Sequence, residues 1–98
     1  MISLDGDVLK VTGAMRLPEA VALRDRGLSL IRSASSIDLS GVNEVDSSAI
    51  AVLLDWERAS TGSDGPLPVV GAPAGLLSLA NLYEVSPYCG LDAVSSAR

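Results

Sequence analysis

Apolar and polar residues change their rhythm sharply between Ile37 and Leu54. Ile37 and Leu39 alternate with Asp38 and Ser40, the period of a half-buried strand, and Gly41 then breaks the pattern, which predicts the end of a short strand. Val42 and Val45 pin the following loop to a core. From Ser47 to about Ala59 the spacing becomes helical. Asp46 stands immediately before that run, at the N-cap position, where a carboxylate accepts from the free amides of the first turn. Ser47 and Ser48 occupy that turn, at the positive end of the helix dipole.

The rest of the chain alternates in the same way. Ile2 to Leu4 and Val8 to Thr12 flank Asp5-Gly6-Asp7 and predict a hairpin, which Gly13-Ala14 leaves. Arg16-Leu17-Pro18-Glu19 starts a helix, with Pro18 in the first turn where its missing N–H costs nothing. Leu17, Ala20, Val21 and Leu28 make its apolar stripe, and Gly27 weakens it near the end. Ser33 to Ser36 connects to the Ile37 strand, and residues 60–66 read as a flexible loop. Leu67 to Val70 predicts a short strand. Gly71-Ala72-Pro73-Ala74-Gly75 turns into a last helix from about Ala74 to Tyr83, with Leu76, Leu79, Ala80 and Tyr83 at helical spacing. Residues 91–98 read as a frayed tail or a marginal final element. Strands alternating with helices predict a single α/β domain over 1–98, with a small mixed sheet, an N-terminal hairpin and three to four helices.

The helix after Asp46 is apolar over too wide an arc. At about 100° per residue, Ile50, Leu53 and Leu54 share one face. Ala49, Val52, Trp56 and Ala59 fall on an adjacent face, with Ala51, Asp55 and Arg58 opposite. That arc is on the order of 200°, twice what one buried side requires. The sheet covers one side; a neighbouring helix or a partner must cover the other. Trp56 therefore has two readings, a core filler or an anchor for a partner. The same arc makes a homodimer a candidate arrangement.

Composition narrows the function more by exclusion than by assertion. The chain is 48% hydrophobic with a net charge of −5, which excludes disorder. Residues 1–32 hold five bases and four acids, whereas 33–97 hold Arg58 alone against eight acids. An acidic second half argues against nucleic acid and anionic lipid and permits a basic protein partner. No apolar run approaches the roughly 20 residues of a membrane span, and acids stand where a signal peptide would carry bases. The single cysteine, Cys89, fits a reducing compartment, so the expected location is cytoplasmic.

Histidine is absent, which removes the common Ser-His-acid triad and most zinc sites. The glycines at 71 and 75 lack the Lys-Ser/Thr of a phosphate-binding loop. Glu44 and Asp46 could pair as acid and base, but the cap role suits Asp46 better. No catalytic residue, cofactor or metal is expected. Ser47 has two readings, an ordinary first-turn serine or a candidate phosphoacceptor where added charge would alter partner binding.

The stretch IDLSGVNEVDSSAIAVLL resembles the signature of STAS domains, the fold of anti-sigma factor antagonists and of modules attached to sulfate transporters. In that family a strand leads to Asp-Ser/Thr, a small residue and an apolar helix, and the hydroxyl after the Asp, here Ser47, is the phosphoacceptor of the antagonists. VDSSAIAVLLDWERA and GAPAGLLSLANLYEV are most similar to the stand-alone STAS subunits of Mla-type phospholipid-transport ABC systems, and the little chain left after Val85 fits that branch. Ala49 departs from the Gly that often follows the Ser pair in antagonists. The resemblance implies a non-catalytic cytoplasmic subunit, peripheral to the inner membrane through the ATPase of an ABC permease complex and not itself inserted. The implied contact surface is Ser47, Ser48, Val52 and Trp56, with Ala51 and Asp55 at its edge. The alternative it carries is an anti-sigma factor antagonist switched by phosphorylation of Ser47.

Overall fold

The computed structural model describes residues 1–60 and 67–84. Residues 61–66, Cys89 and the expected tail at 91–98 lie outside the described residues. Strand β1 (Ile2–Asp5) pairs antiparallel with β2 (Val8–Met15) through the expected hairpin, from Asp5 opposite Val8 to Ile2 opposite Val11. The chain continues through α1 (Leu17–Leu30), a 3-10 turn (Ile31–Ser33), β3 (Ser36–Val45), α2 (Ser47–Ala59), β4 (Val69–Val70) and α3 (Ala74–Leu82). The four strands lie in sequence order. β2 and β3 are parallel, as are β3 and β4. Successive crossovers that step the same way across a sheet, each right-handed, place their helices on one side, and α1 and α2 pack against each other there. Leu9, Val11, Met15, Ile37, Leu39, Val42 and Val69 supply the buried face of the sheet, while Ser3, Lys10, Thr12 and Ser40 stay exposed.

Two strands run further than their patterns predict. β2 passes through Gly13, at φ +89°, and ends at Met15. Gly41 does not end β3. The partners step from Lys10–Asp38 to Thr12–Gly41, and from Gly13–Val42 to Ala14–Glu44, so β3 twice spends one residue more than β2. Each irregularity shifts the alternation by one, which keeps Ile37, Leu39, Val42 and Val45 turned to the same side. Gly41 sits at the first of them because a Cβ there would lie 2.6 Å from the Thr12 Cγ2 atom.

The helices answer the question raised by the wide arc of α2. Ala49, Ile50, Val52, Leu53 and Trp56 are all buried in one core cluster with the apolar residues of the sheet, and α2 packs against both α1 and α3. Trp56 has no exposed surface, and its indole N–H donates to the Arg24 carbonyl of α1 at 3.2 Å. It is core, not a surface anchor. Gly27 makes that possible: a Cβ there would run into the indole ring. The glycine expected to weaken α1 is therefore what lets the two helices approach. The stripe expected for α1 is also redrawn. Its buried line runs through Leu23 and Gly27 into Ile31, whereas Leu17 and Val21 are each 71% exposed.

Candidate partner-binding groove

β2 and β3 end side by side, and each turns directly into a helix. At that junction the Asp46 amide donates to the Met15 carbonyl at 3.4 Å, extending the parallel pairing by one step. The Asp46 carboxylate then does two things. Its Oδ1 accepts from the Ser48 amide at 2.8 Å, the expected cap of α2. Its Oδ2 accepts from the Leu17 amide at 3.0 Å, in the first turn of α1. The Leu17 amide, with help from Ser48, holds this carboxyl below the usual range.

Glu44 faces elsewhere. Its Oε1 is 2.7 Å from Nη1 of Arg16, and the Arg16 amide donates to Glu19 Oε1 at 3.1 Å. With Glu44 paired to an arginine and Asp46 satisfied by two amides, the two carboxylates do not form an acid–base pair.

Below this junction α1 and α2 line a shallow cleft of about 170 Å³. Leu17, Ala20, Val21 and Arg24 form one wall, and Ser48, Ala51, Val52 and Asp55 the other. At the far end Arg24 Nε meets Asp55 Oδ2 at 2.6 Å, with Arg58 3.5 Å from the other Asp55 oxygen. The groove is thus apolar along its length, with Ser48 at one end and an ion pair at the other.

Of the residues singled out from sequence, Ser48, Ala51, Val52 and Asp55 come together in this groove. Ser47 is exposed beside its upper end without lining it, and Trp56 lies in the core. The α1 wall was missed as a surface. Leu17, Ala20, Val21 and Arg24 follow i, i+3, i+4, i+7 spacing, so the face was visible, but periodicity alone does not tell a covered face from an open one.

Glu57 was also missed. It is 94% buried on the side of α2 away from the groove. Its Oε1 accepts from the Leu67 amide at 2.6 Å, and Oε2 has no partner among the described residues. Burial pushes this carboxyl up from the usual 4.5 to about 7. No group of three or more His, Cys, Asp or Glu among the described residues could hold a metal ion.

A hairpin leading into alternating helices and parallel strands, with Asp-Ser-Ser opening the helix after β3, is the architecture of a STAS domain. A family model described as "Mlab, STAS domain" matches residues 2–87, and the chain belongs to that family. A search of curated proteins returns no match.

Proposed function

We propose that this chain is the non-catalytic STAS subunit of an Mla-type ABC phospholipid transporter, and that it binds the transporter's ATPase through the α1–α2 groove. The observation that carries this reading is the pair Leu17 and Val21, two large apolar side chains left 71% exposed opposite Ala51. Exposed apolar surface of this kind, beside polar serines and an ion pair, is what a protein partner covers. ATP hydrolysis belongs to the partner; this chain places its glycines before a helix without the lysine and hydroxyl that would hold a nucleotide. No helix among the described residues is long and apolar enough to cross a membrane, and attachment to the inner membrane runs through the permease complex. The family name supports the transport system; the groove supports the mode of attachment.

The test is co-purification of the tagged chain with a co-expressed Mla-type ATPase. Val21→Asp and Ala51→Asp abolish recovery of the ATPase while the variants unfold at the wild-type midpoint. Retained binding in both variants would sink the groove as the contact surface.

A second reading attaches to Ser47, which is exposed next to the groove residue Ser48. Phosphorylation there would place charge beside the partner surface and make the chain a switched anti-sigma factor antagonist. Under that reading Ser47→Asp releases a kinase or sigma-control partner and Ser47→Ala holds it. Under the transporter reading, phosphate is absent from Ser47 of the purified complex.

A further inference from the structure

Two helices begin on one carboxylate. The bond from the Ser48 amide to Asp46 Oδ1, 2.8 Å, is an ordinary cap. The bond from the Leu17 amide to Asp46 Oδ2, 3.0 Å, joins residues 29 apart in the chain. It reaches from the cap of α2 to the first residue of α1. Leu17 is also the first apolar residue of one groove wall, and Ser48 belongs to the other wall. Each wall is therefore held to the same side chain at the Leu17–Ser48 end of the groove. The surroundings reinforce the α1 half of this clasp. Glu44 holds the Arg16 guanidinium at 2.7 Å and Glu19 holds the Arg16 amide at 3.1 Å, so the residue before Leu17 is tied as well.

We infer that Asp46 is the positioning residue of the groove: its two carboxylate oxygens set the separation of the Leu17 wall and the Ser48 wall, and partner affinity depends on both bonds. The inference deepens the transporter reading and rests on the groove being the partner surface. A residue that only capped α2 would matter through helix stability and would be replaced without loss by another good cap. A residue that clasps two helices would not.

Asn separates the two roles. It is as good an N-cap as Asp, but it offers one acceptor oxygen where the carboxylate offers two, and its NH₂ faces a donor at the other position. In Asp46→Asn one of the two amides, Leu17 or Ser48, loses its acceptor. Three measurements on the full chain follow. Hydrogen exchange at the released amide rises at least about tenfold, in line with losing a bond to a charged group. The methyl signals of Val21 and Ala51, on opposite walls, shift together. Affinity for the co-purified ATPase, assayed well below the variant's unfolding midpoint, falls about tenfold; the midpoint itself drops only modestly, because one of the two bonds to Asp46 remains.

Should the Asn variant fail to fold, Asp46→Ser gives the same comparison, since a serine hydroxyl caps Ser48 but is too short to reach Leu17 as well. Protection retained at both amides overturns the clasp. So does release of one amide with both methyl signals unmoved, or with affinity within twofold of wild type. If the wild-type chain does not bind the ATPase at all, the transporter reading fails on its own, and the exchange and methyl measurements still decide whether Asp46 sets the groove.

Discussion

The two long helices treat their apolar residues in opposite ways. α2 buries Ala49, Ile50, Val52, Leu53 and Trp56, whereas α1 buries Leu23 and Gly27 and leaves Leu17 and Val21 exposed. Both helices connect parallel strands on the same face of the sheet, so the difference comes from what lies beside them. α2 has a neighbouring helix on each flank, α1 and α3. α1 shares its contact with α2 through Gly27 and the Trp56 indole, and nearer the helix starts the two line the groove. Apart from Ala51, the apolar residues of α2 are largely structural, whereas Leu17 and Val21 at the start of α1 are surface. Without this distinction Trp56, the most conspicuous side chain of the sequence, is easily mistaken for the functional one.

The largest effect that tests this contrast is at Trp56. Replacing it with Ala removes the largest fully buried side chain and is expected to cost about 3–5 kcal/mol, which denaturant unfolding would read as a lost or strongly shifted transition. A Trp56→Ala chain that unfolds like wild type but no longer binds its partner would move the indole back to the surface and break the contrast. Gly27→Ala asks the same question from α1. The added methyl would meet the ring, and overpacking of this kind costs about 1–3 kcal/mol, seen as a lower midpoint with the fold retained.

Glu57 gives a prediction in pH rather than in size. Its carboxyl is raised in the folded chain, from the usual 4.5 to about 7, so the folded state holds its proton where the unfolded state has released it. The stability it contributes is fully present below pH 4.5 and declines as pH rises towards and through 7. Glu57→Gln keeps an acceptor for Leu67 and removes the titration. Unfolding midpoints from pH 4.5 to 8 should fall less steeply in the Gln variant; equal slopes would show that Glu57 is not the group responsible. Asp46 has the opposite sign. Its carboxyl is lowered, so its contribution is present above the ordinary 3.8 and lost as pH falls below it.

The smallest stability effects belong to the groove, and that is what makes them informative. Leu17→Ser and Val21→Ser sit at exposed positions, so each is expected to change unfolding by no more than about 0.5 kcal/mol. Each should still weaken recovery of the ATPase. A substantial loss of stability in either would show that α1 is covered at its start and that the groove is narrower than its walls suggest.

Much of this was legible along the chain. Asp46 reads as a cap because its carboxylate precedes a helical run, and the hairpin, the start of α1 at Pro18 and the last helix from Ala74 are equally local. STAS membership was readable for the same reason, since its signature is a contiguous strand, Asp-Ser-Ser and helix. Errors appeared where the deciding contact came from elsewhere. Gly41 looks like a strand terminator until β2 is placed beside it and Thr12 takes the space a side chain would need. Gly27 looks like a flaw in a helix until Trp56, from a different helix, is packed against it.

What the sequence by itself determined is the order and kind of the elements, the cap of α2 and the wide apolar arc of α2, because those depend on residues within a turn or two of one another. Only the tertiary structure decided which faces are covered, that Trp56 is core, that Leu17 and Val21 form an open wall, and that Asp46 serves two helices. The physical reason is that burial and hydrogen bonding between residues 29 apart are set by how strands align and helices cross, which no local spacing encodes.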